Sequence, residues 1–258
     1  MTFAPVLSEV AAELTGRSPS LVDDPTTWAY TLRDAVELAR PDWIVSHHDL
    51  GLEASALTGP VSDVDAVGDV VLAQTPAGLA VGEAVRTLAG LFPGVVVAAS
   101  VTGPATVAAA ACRAFELDPQ GDEGIDLLDV SADVIAAYAA ALAEHGADRV
   151  LVWETDPGAF DPADIASAHR PLVRRLGTIG TPAALCHDGR VEVDGYGAVA
   201  DPQHGLVDPA VFATAATFAD VLATPGAAGP LLVTAGPVPA SCDPAVLRSA
   251  GERNGPQR

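Results

Sequence analysis

Apolar residues alternate between two patterns along the chain. In one they fall three and four apart, the mark of an amphipathic helix. In the other they run together as short Val/Leu/Ile blocks that end on a polar residue. Asp24-Pro25-Thr26 opens a helix that carries Trp28, Leu32, Val36 and Ala39 on one face, and Pro41 stops it. Further helices are expected at residues 82–91, 105–115, 131–145, 162–176, 209–223 and 244–252. Between them, residues 43–47, 95–99, 149–153, 183–186 and 231–234 read as strands by their β-branched content. Residues 190–199 alternate Val with acidic residues and fit a hairpin or an exposed strand.

Strands taking turns with helices at this spacing imply parallel βα units. No Gly-x-Gly-x-x-Gly follows any of the strands, which favours a TIM-type (β/α)8 barrel over an open doubly wound sheet. No linker or repeat divides the chain, so residues 1–258 read as one domain, with 1–40 as an N-terminal helical segment.

Charge narrows the function. The formal net charge is -21 and every basic side chain is arginine. Such a polyanion repels phosphate backbones, so no nucleic-acid partner is expected. Without lysine there is no P-loop and no Schiff-base chemistry, and Gly-x-Ser-x-Gly is missing too. No apolar run reaches the roughly 20 residues that cross a bilayer. The opening MTFAPVLSEV lacks a basic leader, and three cysteines suit a reducing compartment, so a cytoplasmic protein is expected.

Four segments carry a resemblance. They are Val101-Thr102-Gly103-Pro104-Ala105-Thr106, YAAALAEHGAD at 138–148, LLVTAGPVP at 231–239 followed by Asp243-Pro244, and DLGLEASALTG at 49–59. In this order they resemble the uroporphyrinogen decarboxylase superfamily. That superfamily holds porphyrin-pathway decarboxylases, zinc-dependent methyltransferases and the related cobalamin-independent methionine synthase barrels. The resemblance implies a TIM barrel with its site at the carboxyl ends of the strands. The chain also departs from both branches. The N-terminal Arg motif of the decarboxylases is missing, and the zinc-binding His-x-Cys falls on Cys186 and Asp188, with the late Cys on Pro237. From Cys186 to Leu231 there is room for about one βα unit where the family fits roughly two, so a shortened or incomplete second half is expected.

On this resemblance Asp49 takes the place of the decarboxylase's central carboxylate. The implied activity is cofactor-free, lyase-type chemistry on a small anionic substrate. His48 and Glu154 join Asp49 as catalytic candidates, because each ends or follows a strand. His47, Thr102, Gly103, Asp156 and His204 are candidates for holding substrate. The alternatives are zinc-dependent methyl transfer to a thiol, or a barrel that binds a small molecule without turning it over. Zinc would need Cys186, Asp188 and the displaced Cys242 to converge, since a site takes at least three protein ligands. No cofactor is otherwise expected. A barrel left open would expose a sheet edge, for which pairing into a homodimer is the expected cover.

Overall fold

The computed structural model describes residues 1–59, 61, 64–223 and 230–253. Its strands are β1 (Thr2–Val6), β2 (Trp43–Val45), β3 (Val96–Thr102), β4 (Arg149–Glu154), β5 (Ala183–His187), β6 (Ala198–Ala200), β7 (Leu206–Val207) and β8 (Leu231–Pro237). Every ladder is parallel. β2 to β6 pair in chain order as one curled sheet, and β1, β8 and β7 form another. At one seam Asp42 N–H donates to the Phe3 carbonyl (2.9 Å), and Phe3 N–H donates to the Asp42 carboxylate (2.8 Å). At the other, Asp201 bridges to His204 and Gly205, and the Gly205 carbonyl accepts from Val233 N–H (2.8 Å). Gly205 has a φ of 86°, and a Cβ there would overlap the Leu231 carbonyl, so this seam requires glycine.

The fold is a TIM-type barrel that is incomplete in its second half. β6 pairs with β5 and β7 pairs with β8, with only a tight turn between β6 and β7. The two short strands share the place of one stave, so among the described residues a βα unit is missing where the short interval after Cys186 implies it. The edge that would call for a partner is partly covered by the Asp201–Gly205 turn.

Among the described residues ten helices pack outside: α1 (Ser8–Thr15), α2 (Pro25–Ala39), α3 (Leu52–Thr58), α4 (Pro76–Leu91), α5 (Pro104–Phe115), α6 (Asp122–Glu144), α7 (Pro162–Ala168), α8 (Arg170–Ile179), α9 (Ala215–Ala223) and α10 (Pro244–Glu252). No helix in this described part is long and apolar enough to cross a membrane. Alternation along the strands sorts two cores. Ala4, Val6, Val45, Ala98, Leu151, Trp153, Ala184, Cys186, Ala200, Leu231 and Val233 fill the barrel. Their neighbours, such as Phe3, Ile44, Val97, Val150 and Leu185, face the helices.

Several elements differ from the sequence reading. The segment 1–40 opens with β1, which pairs with β8, and is not helical throughout. α6 begins at Asp122, because Asp122 and Glu123 in its first turn suit the positive end of the helix dipole. The helix expected at 162–176 breaks at His169, because Pro171 has no N–H to continue it. Residues 209–223 divide into a 3₁₀ turn (Pro209–Ala213) and α9. Residues 190–199 form no hairpin; only Ala198–Ala200 is strand.

Candidate functional site

Trp153, fully buried, occupies the interior at the carboxyl end of β4. Its indole N–H donates to Ser100 Oγ (2.7 Å), and Ser100 N–H donates to Ser46 Oγ (3.1 Å). The His48 ring stands edge-on to the indole, with centroids 4.6 Å apart. Burial lowers the His48 pKa, and its Nε2 is buried with no hydrogen-bond partner among the described residues. The rim centre is therefore stoppered by an aromatic pair.

His47 is 3% exposed, and its Nδ1 lies 2.8 Å from Ser46 Oγ. Desolvation pushes its imidazole down from 6.5 to about 4, against a smaller raising effect of Asp49. Above pH 6.5 the ring is neutral in both folded and unfolded chains, and its contribution to stability is complete. As pH falls towards 4 the unfolded chain takes up a proton that the folded chain does not, and stability is lost across that window. The stability gap between the wild type and His47→Asn is therefore expected to shrink by about 3 kcal/mol on acidification through this range. Urea denaturation at a series of pH values measures it, and a constant gap would mean that His47 titrates normally.

Asp49 follows β2 and is exposed. Its Oδ1 accepts from Gly51 N–H (3.1 Å). It edges an open groove of about 490 Å³ whose other lining includes Val22, Leu52, Ala56, Pro76 and Ala77. In the first turn of α3, the Glu53 side chain is fully buried. Its Oε2 lies 2.6 Å from Thr102 Oγ1, and Oε1 accepts from Thr102 N–H (3.3 Å). Desolvation pushes this carboxyl up to about 7, and the charge of Asp49 adds to the rise while the Thr102 bonds oppose it.

Glu154 is placed differently from a catalytic rim carboxylate. It lies on the helix-facing side of β4, opposite in direction to Trp153, and is fully buried. Oε1 accepts from Thr106 N–H (2.6 Å) and Thr106 Oγ1–H (2.5 Å); Oε2 accepts from Ala105 N–H (3.0 Å) and lies 3.0 Å from His169 Nε2. These four partners occupy the acceptor sites of the carboxyl group. It holds the amino end of α5, so that end is not free for an anionic substrate. Tyr196 Oη meets His169 Nδ1 at 2.5 Å and extends the network to the loop after β5. A Cβ on Gly103 would overlap the Glu154 side chain, so Gly103 serves the close packing of β4 on α5. Asp156 N–H donates to Thr106 Oγ1 (3.1 Å), while its carboxylate lies 3.4 Å from Arg113 at the surface.

The candidate zinc ligands do not converge. Cys186 faces the barrel interior, whereas Cys242 sits in the outer layer just before α10. Asp188 pairs with Arg190, and His204 with Asp201 at 3.1 Å. Burial raises the pKa of both thiols. Among the described residues no group of three or more His, Cys, Asp or Glu side chains could hold a metal ion. The residues present do not fit zinc, and Asp49, Glu154 and Cys186 share no hollow: one is exposed, one faces the helices and one faces inward.

The fold has a solved counterpart. The chain is similar to a methyltransferase from Methanosarcina mazei, with a TM-score of 0.70 over 98% of this chain and 94% of that one, at 14% identity. At that identity the likeness shows the fold alone. No family model matches the sequence, and no curated protein matches it.

Glu53, His169 and Tyr196 are among the network residues that lie outside the candidate sites of the sequence. Glu53 sits within the Asp49 motif, and its spacing of four from Leu57 puts it on the helix face that Leu57 buries. His169 precedes Pro171 and so marks a helix break. Tyr196, between Gly195 and Gly197, carries the same two sequence readings as His204, a loop residue over a site or one at the surface.

Proposed function

We propose that this chain is a metal-independent barrel of the uroporphyrinogen decarboxylase type that acts on a carboxylated tetrapyrrole at Asp49. The observation that carries this reading is the contrast among three carboxyl groups. Glu154 is spent on α5 and Glu53 is buried, whereas Asp49 is exposed beside an apolar groove. An anion so placed accepts pyrrole N–H donors and stabilises the positive charge that develops when a ring carbon is protonated. The C–CO₂⁻ bond then breaks and its electron pair returns to the ring. A proton on the exocyclic carbon and loss of the first ring proton restore the pyrrole, so one proton is consumed and CO₂ released. The groove's volume suits a small molecule. The chain's strong negative charge favours substrates with few carboxylates.

Fluorescence titration with a soluble carboxylated tetrapyrrole tests the site. Asp49→Asn is expected to bind it about tenfold more weakly, or worse, since a charged hydrogen-bond acceptor is lost. Equal affinity in the two proteins would refute the assignment. A second reading, methyl transfer to a thiol, draws on the Methanosarcina mazei methyltransferase that shares this fold. It requires stoichiometric zinc in the purified protein that disappears in Cys186→Ala, and the scattered ligands argue against it.

A further inference from the structure

We infer that Glu53 carries a proton in this fold, and that the Glu53–Thr102–Leu50 chain it completes positions Asp49. The inference rests on the reading of Asp49 as the ligand-binding group, and it makes Glu53 a positioning residue that touches no substrate.

Counting donors carries the argument. Thr102 Oγ1 lies 2.6 Å from Glu53 Oε2 and 3.2 Å from the Leu50 carbonyl oxygen. A hydroxyl has one proton to give. If Glu53 were ionised, both neighbours would be acceptors and only one could be served. Either the Leu50 carbonyl would lose this donor or a buried carboxylate would face a hydroxyl oxygen with no proton between them, and each arrangement is costly. A protonated Glu53 removes the conflict. Its O–H donates to Thr102 Oγ1, the Thr102 O–H donates to the Leu50 carbonyl, and Thr102 N–H still serves Glu53 Oε1 at 3.3 Å.

The surroundings favour the same state. The titratable groups that face Glu53 are Asp49 from the preceding turn and Tyr138 from α6. Neither offers a positive charge to an anion there. The Tyr138 hydroxyl is itself buried without a hydrogen-bond partner among the described residues. Burial places the Glu53 carboxyl near 7, so its proton is held just below neutrality and released just above it. On release, Thr102 turns its hydroxyl to Glu53 and the Leu50 carbonyl goes unserved. Leu50 sits between Asp49 and Gly51, whose N–H holds the Asp49 carboxylate. The turn that aims Asp49 is thereby loosened.

Two measurements test this. Difference infrared spectroscopy of the full chain at about pH 6 is expected to show a protonated, buried carboxylic acid band that Glu53→Gln removes and that fades as pH rises. No band lost in Glu53→Gln would overturn the protonation. Amide hydrogen exchange then reads the turn without any ligand. At about pH 8, where Glu53 is ionised, Gly51 N–H in the wild type is expected to exchange roughly fivefold faster than in Glu53→Gln at the same pH, the size of one lost hydrogen bond. At about pH 6 the two proteins are expected to exchange alike, because the Gln amide, like the protonated acid, donates to Thr102. Equal exchange in the two proteins at both pH values would overturn the positioning role. A retained band and protected Gly51, with no tetrapyrrole bound, would sink only the functional reading of Asp49.

Discussion

Glu154→Ala is expected to destabilise the protein by roughly 3–5 kcal/mol, the scale of leaving several buried hydrogen-bond donors without an acceptor. The wild-type carboxylate receives Ala105 N–H, Thr106 N–H and the Thr106 hydroxyl, and meets His169 Nε2, all out of contact with water. Alanine leaves those donors buried and unserved at the amino end of α5. It also unties His169, and with it Tyr196 and the loop after β5. A single domain is stable by about 5–15 kcal/mol, so such a loss takes a large share of the total. Urea denaturation followed by circular dichroism measures it. Glu154→Gln keeps the shape and two acceptor lone pairs, and its loss is expected to be smaller. A Glu154→Ala protein that unfolds at the wild-type midpoint would show that the network is idle, and the catalytic role that its position in the sequence suggests would then return.

That contrast shows what the sequence discloses. A glutamate at the end of a barrel strand reads as a rim carboxylate, and Glu154 does end β4. Its direction is decided by parity along the strand, and parity is fixed only when Trp153 takes the inward position. Both Trp153 and Glu154 border the same rim in the sequence, and nothing local says which of them turns inward. The alternation of helices and strands was legible because apolar spacing is a local property. So was the truncated second half, because chain length bounds the number of βα units. β1 was not legible. TFAPV is a short segment whose strand identity comes from pairing with β8, over two hundred residues away. The zinc candidates scatter for a related reason: Cys186 stands where the family has His and Cys242 lies displaced from the family cysteine, and their side chains belong to different cores.

Trp153 raises the second large expectation. Trp153→Ala should cost roughly 3–5 kcal/mol, because the indole is the largest of the buried side chains that fill the barrel, and its removal leaves a cavity. Ser100 Oγ loses its donor and the His48 ring loses its support. Trp153→Phe retains most of the volume and forfeits the hydrogen bond, so about 1 kcal/mol is expected. A loss in Trp153→Ala no greater than in Trp153→Phe would show that the interior collapses around the gap. The same pair locates the ligand. The groove beside Asp49 is lined by α3, the start of α4 and Val22, and Trp153 is not among its lining residues. Tetrapyrrole affinity in Trp153→Phe should therefore equal that of the wild type. A clear weakening in this well-folded variant would mean that the ligand reaches the aromatic stopper, and that Asp49 meets its substrate over the barrel mouth and not in the lateral groove.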